Sequence, residues 1–161
     1  MVENQPKLEF AILRVEESYR IRLTQPLLHR VAWITGVEPV SGWLLVGSPG
    51  RCRLLSASEV GSDPHLQSLK MRIAAEAHTR SANSLDFHDE VSVALGARLL
   101  EVKITPPEPG WRLTLPRPIA AIMQVRPKES DVAGVFVQEH IEIWTIETLR
   151  SSVARSLTEI L

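Results

Sequence analysis

An internal repeat restricts the fold of this chain more than any other feature, because two copies of one unit must fold alike. The segment Arg22-Leu23-Thr24-Gln25-Pro26 matches Arg112-Leu113-Thr114-Leu115-Pro116 at every position but the fourth. Corresponding blocks lie before and after these segments in the same order, with a slip of one residue between them. We therefore divide the chain into a first unit at 9–60 and a second unit at 99–149.

Each unit has the pattern strand, strand, helix and β-hairpin. A short strand leads through a turn, at 16–19 or 106–110, to a second strand that ends at a proline. Proline cannot continue a central ladder but can open a helix. Apolar residues then recur at helical spacing, up to Gly36 in the first unit and Arg126-Pro127 in the second. These apolar residues are Leu27, Leu28, Val31 and Ile34, and in the second unit Ile119, Ile122 and Met123.

The size of the units predicts how they combine. About 50 residues are too few for an independent core, so the two units are expected to pack on each other. Strands are expected to cross between them, because an unpaired edge strand is a liability. The sequence thus predicts a mainly β fold with flanking helices (α+β), in which two tandem β-β-α-β-β units form one interlocked, pseudo-twofold barrel.

The remaining segments are predicted to be largely helical. Asp63-Pro64 is typical of a helix start, and Leu66, Leu69 and Ile73 form an apolar stripe along a helix over 64–79 that should pack on the barrel. The linker 61–98 also contains residues 85–95, which fit a strand or a helix equally well. Residues 146–161 are predicted to form a closing helix at the C-terminus, of which 150–161 lie beyond the second unit.

Composition and charge limit the class of protein. The 161 residues carry a formal net charge of −1, so DNA binding would need a local basic patch. The single cysteine, Cys52, excludes an internal disulfide and fits a reducing compartment. The polar start is unlike a signal peptide, and no apolar stretch approaches the roughly 20 residues of a membrane helix. We expect a cytoplasmic protein without a membrane partner.

The repeated arginine–proline blocks and the segment Ile141-Glu142-Ile143-Trp144 resemble the MraZ family of bacterial regulators. Its members contain two tandem AbrB-like (SpoVT-like) swapped-hairpin halves. The likeness covers most of the chain except the linker and is closest from Gly110 to Trp144. It implies swapped-hairpin units, sequence-specific DNA binding by a ring-shaped homo-oligomer, and association with the nucleoid.

The family carries Asp-x-x-x-Arg before each proline and a further arginine four residues after it. By resemblance, the motif arginines here are Arg22 and Arg112, the later arginine is Arg30, and Glu108 is the motif carboxylate of the second unit. The DNA-contact motif departs from the family at Ser18, Ile21, Trp111 and Ala120.

The candidate DNA-binding residues are Arg20, Arg22, Arg30, Arg112 and Arg117. A guanidinium group pairs with phosphates and binds guanine edges in the major groove, which a β-ribbon can enter. The structural alternative is that Arg22 and Arg112 brace the turns through Glu17 or Glu108. The two roles can coexist in one residue.

The sequence contains no motif for catalysis, cofactor binding or metal binding. The five histidines have no metal-ligand spacing, and the nucleophile elbow, the P-loop and the dinucleotide-binding fingerprint are absent. The cluster His88-Asp89-Glu90 is interpreted as a solvated surface. At least three of the four tryptophans are expected to pack in a core or an interface, with base stacking an alternative for Trp111. We expect no enzyme, cofactor, metal or small-molecule substrate.

The sequence therefore predicts an MraZ-like DNA-binding transcriptional regulator that acts as a homo-oligomer on repeated DNA sites. The alternative is a protein-interaction or assembly module of the same fold that has lost DNA binding. The retained arginines favour the regulator, and the departures from the motif favour the module. In the regulator, Arg22, Arg30 and Arg112 are expected on one exposed face near the loops 16–19 and 106–110.

Overall fold

The computed structural model describes residues 9–81, 99–106 and 110–160, without the side chains of 76–81 and 156–160. Three features of the sequence analysis lie outside the described residues: Glu108, the cluster His88-Asp89-Glu90, and the segment 85–95.

The described residues contain eight strands and five α-helices, with a single-turn 3-10 helix at Glu17–Tyr19. The first unit contains β1 (Glu9–Arg14), β2 (Arg20–Arg22), α1 (Gln25–Leu28), β3 (Val40–Ser48), β4 (Arg51–Ser56) and α2 (Ala57–Ser62), followed by α3 (Pro64–Ser81). The second unit contains β5 (Leu99–Thr105), β6 (Arg112–Thr114), α4 (Arg117–Met123), β7 (Asp131–Val137) and β8 (His140–Thr145), followed by α5 (Ile146–Ile160).

The eight strands form one antiparallel sheet in the order β1-β7-β8-β4-β3-β5-β6-β2. A backbone bridge between Val15 and Ile21 links the two ends of this order, so the sheet is a nearly closed barrel. The pairing pattern repeats about a pseudo-twofold axis: β1 pairs with β7 as β5 pairs with β3. The axis passes through the two pairs that join equivalent strands, β2 with β6 and β4 with β8. The predicted mainly β fold with crossed units is confirmed.

The barrel interior is the hydrophobic core that both units share. Side chains alternate along each strand, so every second residue points inward. Ile21, Leu44, Ile104, Leu113 and Ile143 are completely buried in this one cluster, to which both units contribute. Neither unit therefore has a core of its own, which agrees with the limit that the unit size sets.

Helices cover part of the outer surface of the barrel. In the first unit, α2 and α3 cover Leu55 and Leu99, with Leu66, Leu69 and Ile73 of α3 packed against them. The carboxylate of Asp63 accepts hydrogen bonds from the backbone nitrogens of His65 and Leu66, as predicted for a helix start. In the second unit, α5 covers Ala133, Val135 and Trp144 through Ile146 and Leu149.

Two helix boundaries differ from the sequence-based predictions. Helix α1 ends at Leu28, before Val31 and Ile34. Both of these residues are buried, so the apolar spacing that predicted a longer helix arises from their burial in the core. Helix α4 ends because Gln124 adopts a left-handed conformation (φ 56), before Arg126-Pro127 is reached. The C-terminal helix, by contrast, begins at Ile146 as predicted.

Candidate nucleic-acid interface

The two-stranded ribbon β2–β6 lies on the pseudo-twofold axis and carries arginine on its outer face. Ile21 and Leu113 are directly opposite each other, point inward and are completely buried. The alternation of side chains turns the flanking residues outward. Arg22 lies opposite Arg112, and Arg20 lies opposite Thr114. Three of the five predicted DNA-binding residues thus share one surface.

Glu16 is the acidic partner of this ribbon. Its carboxylate lies 3.9 Å from Nη2 of Arg22 and 3.8 Å from Nε of Arg112. Both distances exceed those of a hydrogen bond. Oε1 of Glu16 and Nε of Arg112 are buried and have no hydrogen-bond partner. The arginines are therefore held by weak ion pairs and keep unused hydrogen-bonding capacity.

The predicted brace through Glu17 is wrong, because Glu17 pairs with Lys128 instead. The hydrogen bond from Lys128, together with its positive charge, lowers the pKa of Glu17 below the ordinary value. The residue that approaches the ribbon arginines is its neighbour Glu16. The sequence does not show whether Glu16 or Glu17 faces the ribbon, because the tight turn between β1 and β2 determines it. Ser18 in this turn adopts a left-handed conformation (φ 59).

A polar pocket of about 520 Å³ opens beside the ribbon. Arg14 is anchored there by Asp131, whose Oδ1 lies 3.1 Å from Nε of Arg14, and by the carbonyl oxygen of Lys128, which accepts a hydrogen bond of 2.9 Å. Basic side chains outnumber acidic ones, so the pocket carries a surplus of positive charge. Its lining consists of Arg14, Glu16, Glu17, Arg20, Arg112 and Lys128.

The backbone pairing of the ribbon corrects the alignment of the two units. The nitrogen of Leu23 donates to the oxygen of Trp111, and the nitrogen of Leu115 donates to the oxygen of Tyr19, each at 2.9 Å. The pseudo-twofold axis exchanges these two bonds. Leu23 therefore corresponds to Leu115, and Tyr19 to Trp111. The sequence alignment of this block is wrong by two residues: the equivalent of Arg112 is Arg20, not Arg22.

The corrected alignment restores a regular motif in both units. Glu16 stands four residues before Arg20, as Glu108 stands four residues before Arg112. An aromatic residue precedes each arginine, Tyr19 in one unit and Trp111 in the other. This pattern is hidden in the sequence, because four of the five residues at 22–26 and 112–116 are identical and favour a different alignment.

The other two predicted residues lie elsewhere. Nη2 of Arg30 lies 2.7 Å from Glu9, at the start of β1, and its guanidinium stacks over the ring of Phe136. Arg14, which lines the pocket, lies at the other end of β1. Glu9 and Arg14 are five residues apart on this strand, which corresponds to about 17 Å at about 3.4 Å per residue. The expectation that Arg30 lies on one face with the ribbon arginines is wrong. Arg117 is exposed at the start of α4 and has no ion-pair partner among the described residues.

A second charged cluster lies where the pseudo-twofold axis crosses β4 and β8. Glu142 is almost completely buried and directly opposite Arg53. Its two oxygens accept hydrogen bonds from Arg53 (2.7 and 2.9 Å), from Arg51 (3.0 and 3.4 Å) and from the indole of Trp144 (2.8 Å). Burial alone would raise the pKa of Glu142, but the bonds from Trp144, Arg53 and Arg51 outweigh it and lower the pKa. This cluster was not predicted from the sequence, although the repeat aligns Arg53 with Glu142.

All four tryptophans contribute to packing. Trp144 is buried under α5, Trp43 packs beneath α3, and Trp33 and Trp111 pack against the shared core. The predicted packing role is confirmed for each of them.

Comparison with protein-family models, with curated proteins and with solved structures finds no match. None of the described helices is long and apolar enough to cross a membrane. The described ranges contain no group of three or more histidine, cysteine or carboxylate residues that could hold a metal ion.

Proposed function

We propose that this chain is an MraZ-like DNA-binding transcriptional regulator that acts as a homo-oligomer and contacts DNA through the ribbon β2–β6. The observation that carries the proposal is the outer face of the ribbon, where Arg20, Arg22 and Arg112 stand side by side. A two-stranded ribbon fits the major groove of B-DNA, and arginine is its commonest specific reader.

The electrostatics of the ribbon favour a ligand with negative charge. Like charges directly opposite each other on paired strands are destabilising, and Arg22 faces Arg112 in this way. Glu16 offsets this repulsion only through contacts longer than a hydrogen bond. A phosphate group bound at the outer face would relieve the repulsion between the two guanidinium groups.

The ribbon and the adjoining pocket divide the recognition of DNA between them. Arg22 is about half exposed and projects from the ribbon, where it can reach base edges. Arg14 and Lys128 line the pocket beside it and suit the sugar–phosphate backbone. One chain offers few such contacts and has a net charge of −1, so affinity comes mainly from several subunits on repeated sites.

Single arginine-to-glutamine variants test the proposal. Arg20→Gln and Arg112→Gln should each weaken binding to genomic DNA fragments by roughly 1–3 kcal/mol and reduce the salt dependence of binding. Arg72→Gln is the matched control, because Arg72 is an exposed arginine on α3, outside the ribbon and its pocket. Fluorescence anisotropy at two salt concentrations measures both effects, and the thermal midpoint of each variant reports stability.

The outcomes separate the regulator from the alternative. A wild-type chain that binds no DNA fragment at low salt contradicts the proposal. If, in addition, Arg112→Gln lowers the thermal midpoint strongly, the arginine serves as a brace, and the assembly module of the same fold that has lost DNA binding becomes the better description.

A further inference from the structure

A second pocket, of about 410 Å³, opens beside the strand pair β4–β8. This pair and the ribbon β2–β6 lie on opposite sides of the barrel, because three strand-to-strand steps separate them in either direction around the sheet. The pocket is therefore distinct from the proposed DNA interface. Its lining includes Leu45, Gly47, Ser48, Arg51, Arg53 and Glu142.

The alternation of side chains brings three charged groups together on the outer face of the barrel at this pocket. Cys52 on β4 and Ile143 on β8 point into the core, so the residues on either side of them point outward. Arg51 and Arg53 flank Cys52, and Glu142 lies directly opposite Arg53. Two positive charges thus meet one negative charge, which leaves the lining residues with a surplus of one positive charge.

Glu142 orients both guanidinium groups but engages only part of each. Nε and Nη2 of Arg51 and of Arg53 donate to its carboxylate. A guanidinium group has five N–H donors, so three donors on each arginine, including both on Nη1, take no part in these bonds. The guanidinium of Arg51 also stacks over the ring of Trp144, 4.3 Å from its centroid. Two arginines that already converge on one carboxylate are preorganised, so a second anion can bind them at a low entropic cost.

The rest of the lining supplies a hydroxyl group and an apolar wall. The pairing of β3 with β4 skips Gly47, and this β-bulge places Ser48 opposite Arg51. Leu45 lies opposite Arg53 and belongs to the apolar cluster beneath α3. The hydroxyl of Ser48 can donate a hydrogen bond to an anion, whereas Leu45 suits an apolar group.

We propose that this pocket binds a small organic anion, with its carboxylate or phosphate group on Arg51 and Arg53 and its apolar body against Leu45. A singly charged anion would balance the surplus charge, and the arginine fork matches the paired oxygens of either group. The pocket volume lies within the range of small-molecule sites. The arginines belong to the first unit and Glu142 to the second, so the ligand would lie where the two units pair.

Nuclear magnetic resonance of the full chain tests the site with three probes: inorganic phosphate, phenyl phosphate and benzoate. Two kinds of signal report on the pocket, the Nε–H signals of Arg51 and Arg53 and the indole signal of Trp144, which donates to Glu142. These signals should shift saturably, with a Kd of about 1 mM for at least one of the two organic probes.

Variants locate the binding in this pocket. Arg51→Lys and Arg53→Lys should each weaken binding at least about fivefold, because lysine keeps the charge that neutralises Glu142 but lacks the planar fork. Ser48→Ala leaves the ion pairs intact and should weaken binding about threefold. Arg72→Lys on α3, outside the pocket, is the matched control and should leave binding unchanged. The thermal midpoint of each variant, measured by circular dichroism, reports whether the fold is kept.

The possible results are distinct. The absence of a saturable shift with any probe at about ten times the expected Kd overturns the site, as do pocket variants that bind as tightly as the control. Equal affinity for inorganic phosphate and phenyl phosphate overturns the role of the apolar wall. Tighter binding of either phenyl phosphate or benzoate supports the site and identifies the anionic group. DNA is absent from this titration, so its result is independent of the proposed function.

Discussion

Replacement of Glu142 by alanine should destabilise the barrel more than any change on its surface. The carboxylate accepts five hydrogen bonds, from both arginines of β4 and from Trp144, and it is almost completely buried. Removing one partner of a buried ion pair costs roughly 3–5 kcal/mol, because the remaining charge is left without compensation. Arg51 and Arg53 are 42% and 32% exposed and can regain water, which lowers the expected cost to about 2–3 kcal/mol.

Urea denaturation measures this loss, and thermal unfolding should show a midpoint lower by roughly 5–10 °C. Glu101→Ala is the matched control, since Glu101 is an exposed glutamate on β5 with no ion pair among the described residues. The pKa of Glu142 is lowered in the folded state, so its contribution is present above the unfolded pKa of about 4.3. The contribution is lost as the pH falls through the folded pKa. A cost below about 0.5 kcal/mol at pH 7 would refute this reasoning.

Three smaller predictions follow from single contacts. Burial raises the pKa of the Cys52 thiol to about 12, so a thiol reagent should label Cys52 only at the rate at which the chain unfolds. Asp63→Ala removes the acceptor at the start of α3 and should cost about 1 kcal/mol in urea denaturation, while Asp63→Asn should cost less. Gln124→Gly should raise the free energy of unfolding by up to about 1 kcal/mol, because glycine adopts the left-handed conformation without strain; a decrease would contradict this.

The sequence was sufficient to predict the architecture because the repeat and the unit size left few alternatives. Each unit of about 50 residues had to share its core, and the crossed pairs β1–β7 and β3–β5 fulfil that requirement. The helix α3 followed from Asp63-Pro64, whose capping geometry is local. Helix α2 was missed, although Ser56 and Glu59 form a capping box at its start.

The candidate site was predictable only in part, because register depends on pairing between distant strands. Arg20, Arg22 and Arg112 were identified, but their equivalence was misjudged by two residues. The unequal turns before β2 and β6 absorb this shift, and an alignment by identity does not detect it. Arg30 was assigned to the same face from its spacing to a proline, whereas its position is set by Glu9 and Phe136.

The pairing of β1 with β7 also determines when the chain can fold. Strand β1 cannot pair until its partner β7 has been synthesised, so the polypeptide has a high contact order and should fold slowly. An isolated first half would expose the residues that point into the barrel. It would also lack the partner strands of β1 and β2 and the partner on one edge of β3. Because each half supplies what the other lacks, two fragments separated within the linker should reassemble when mixed, although neither is expected to fold alone.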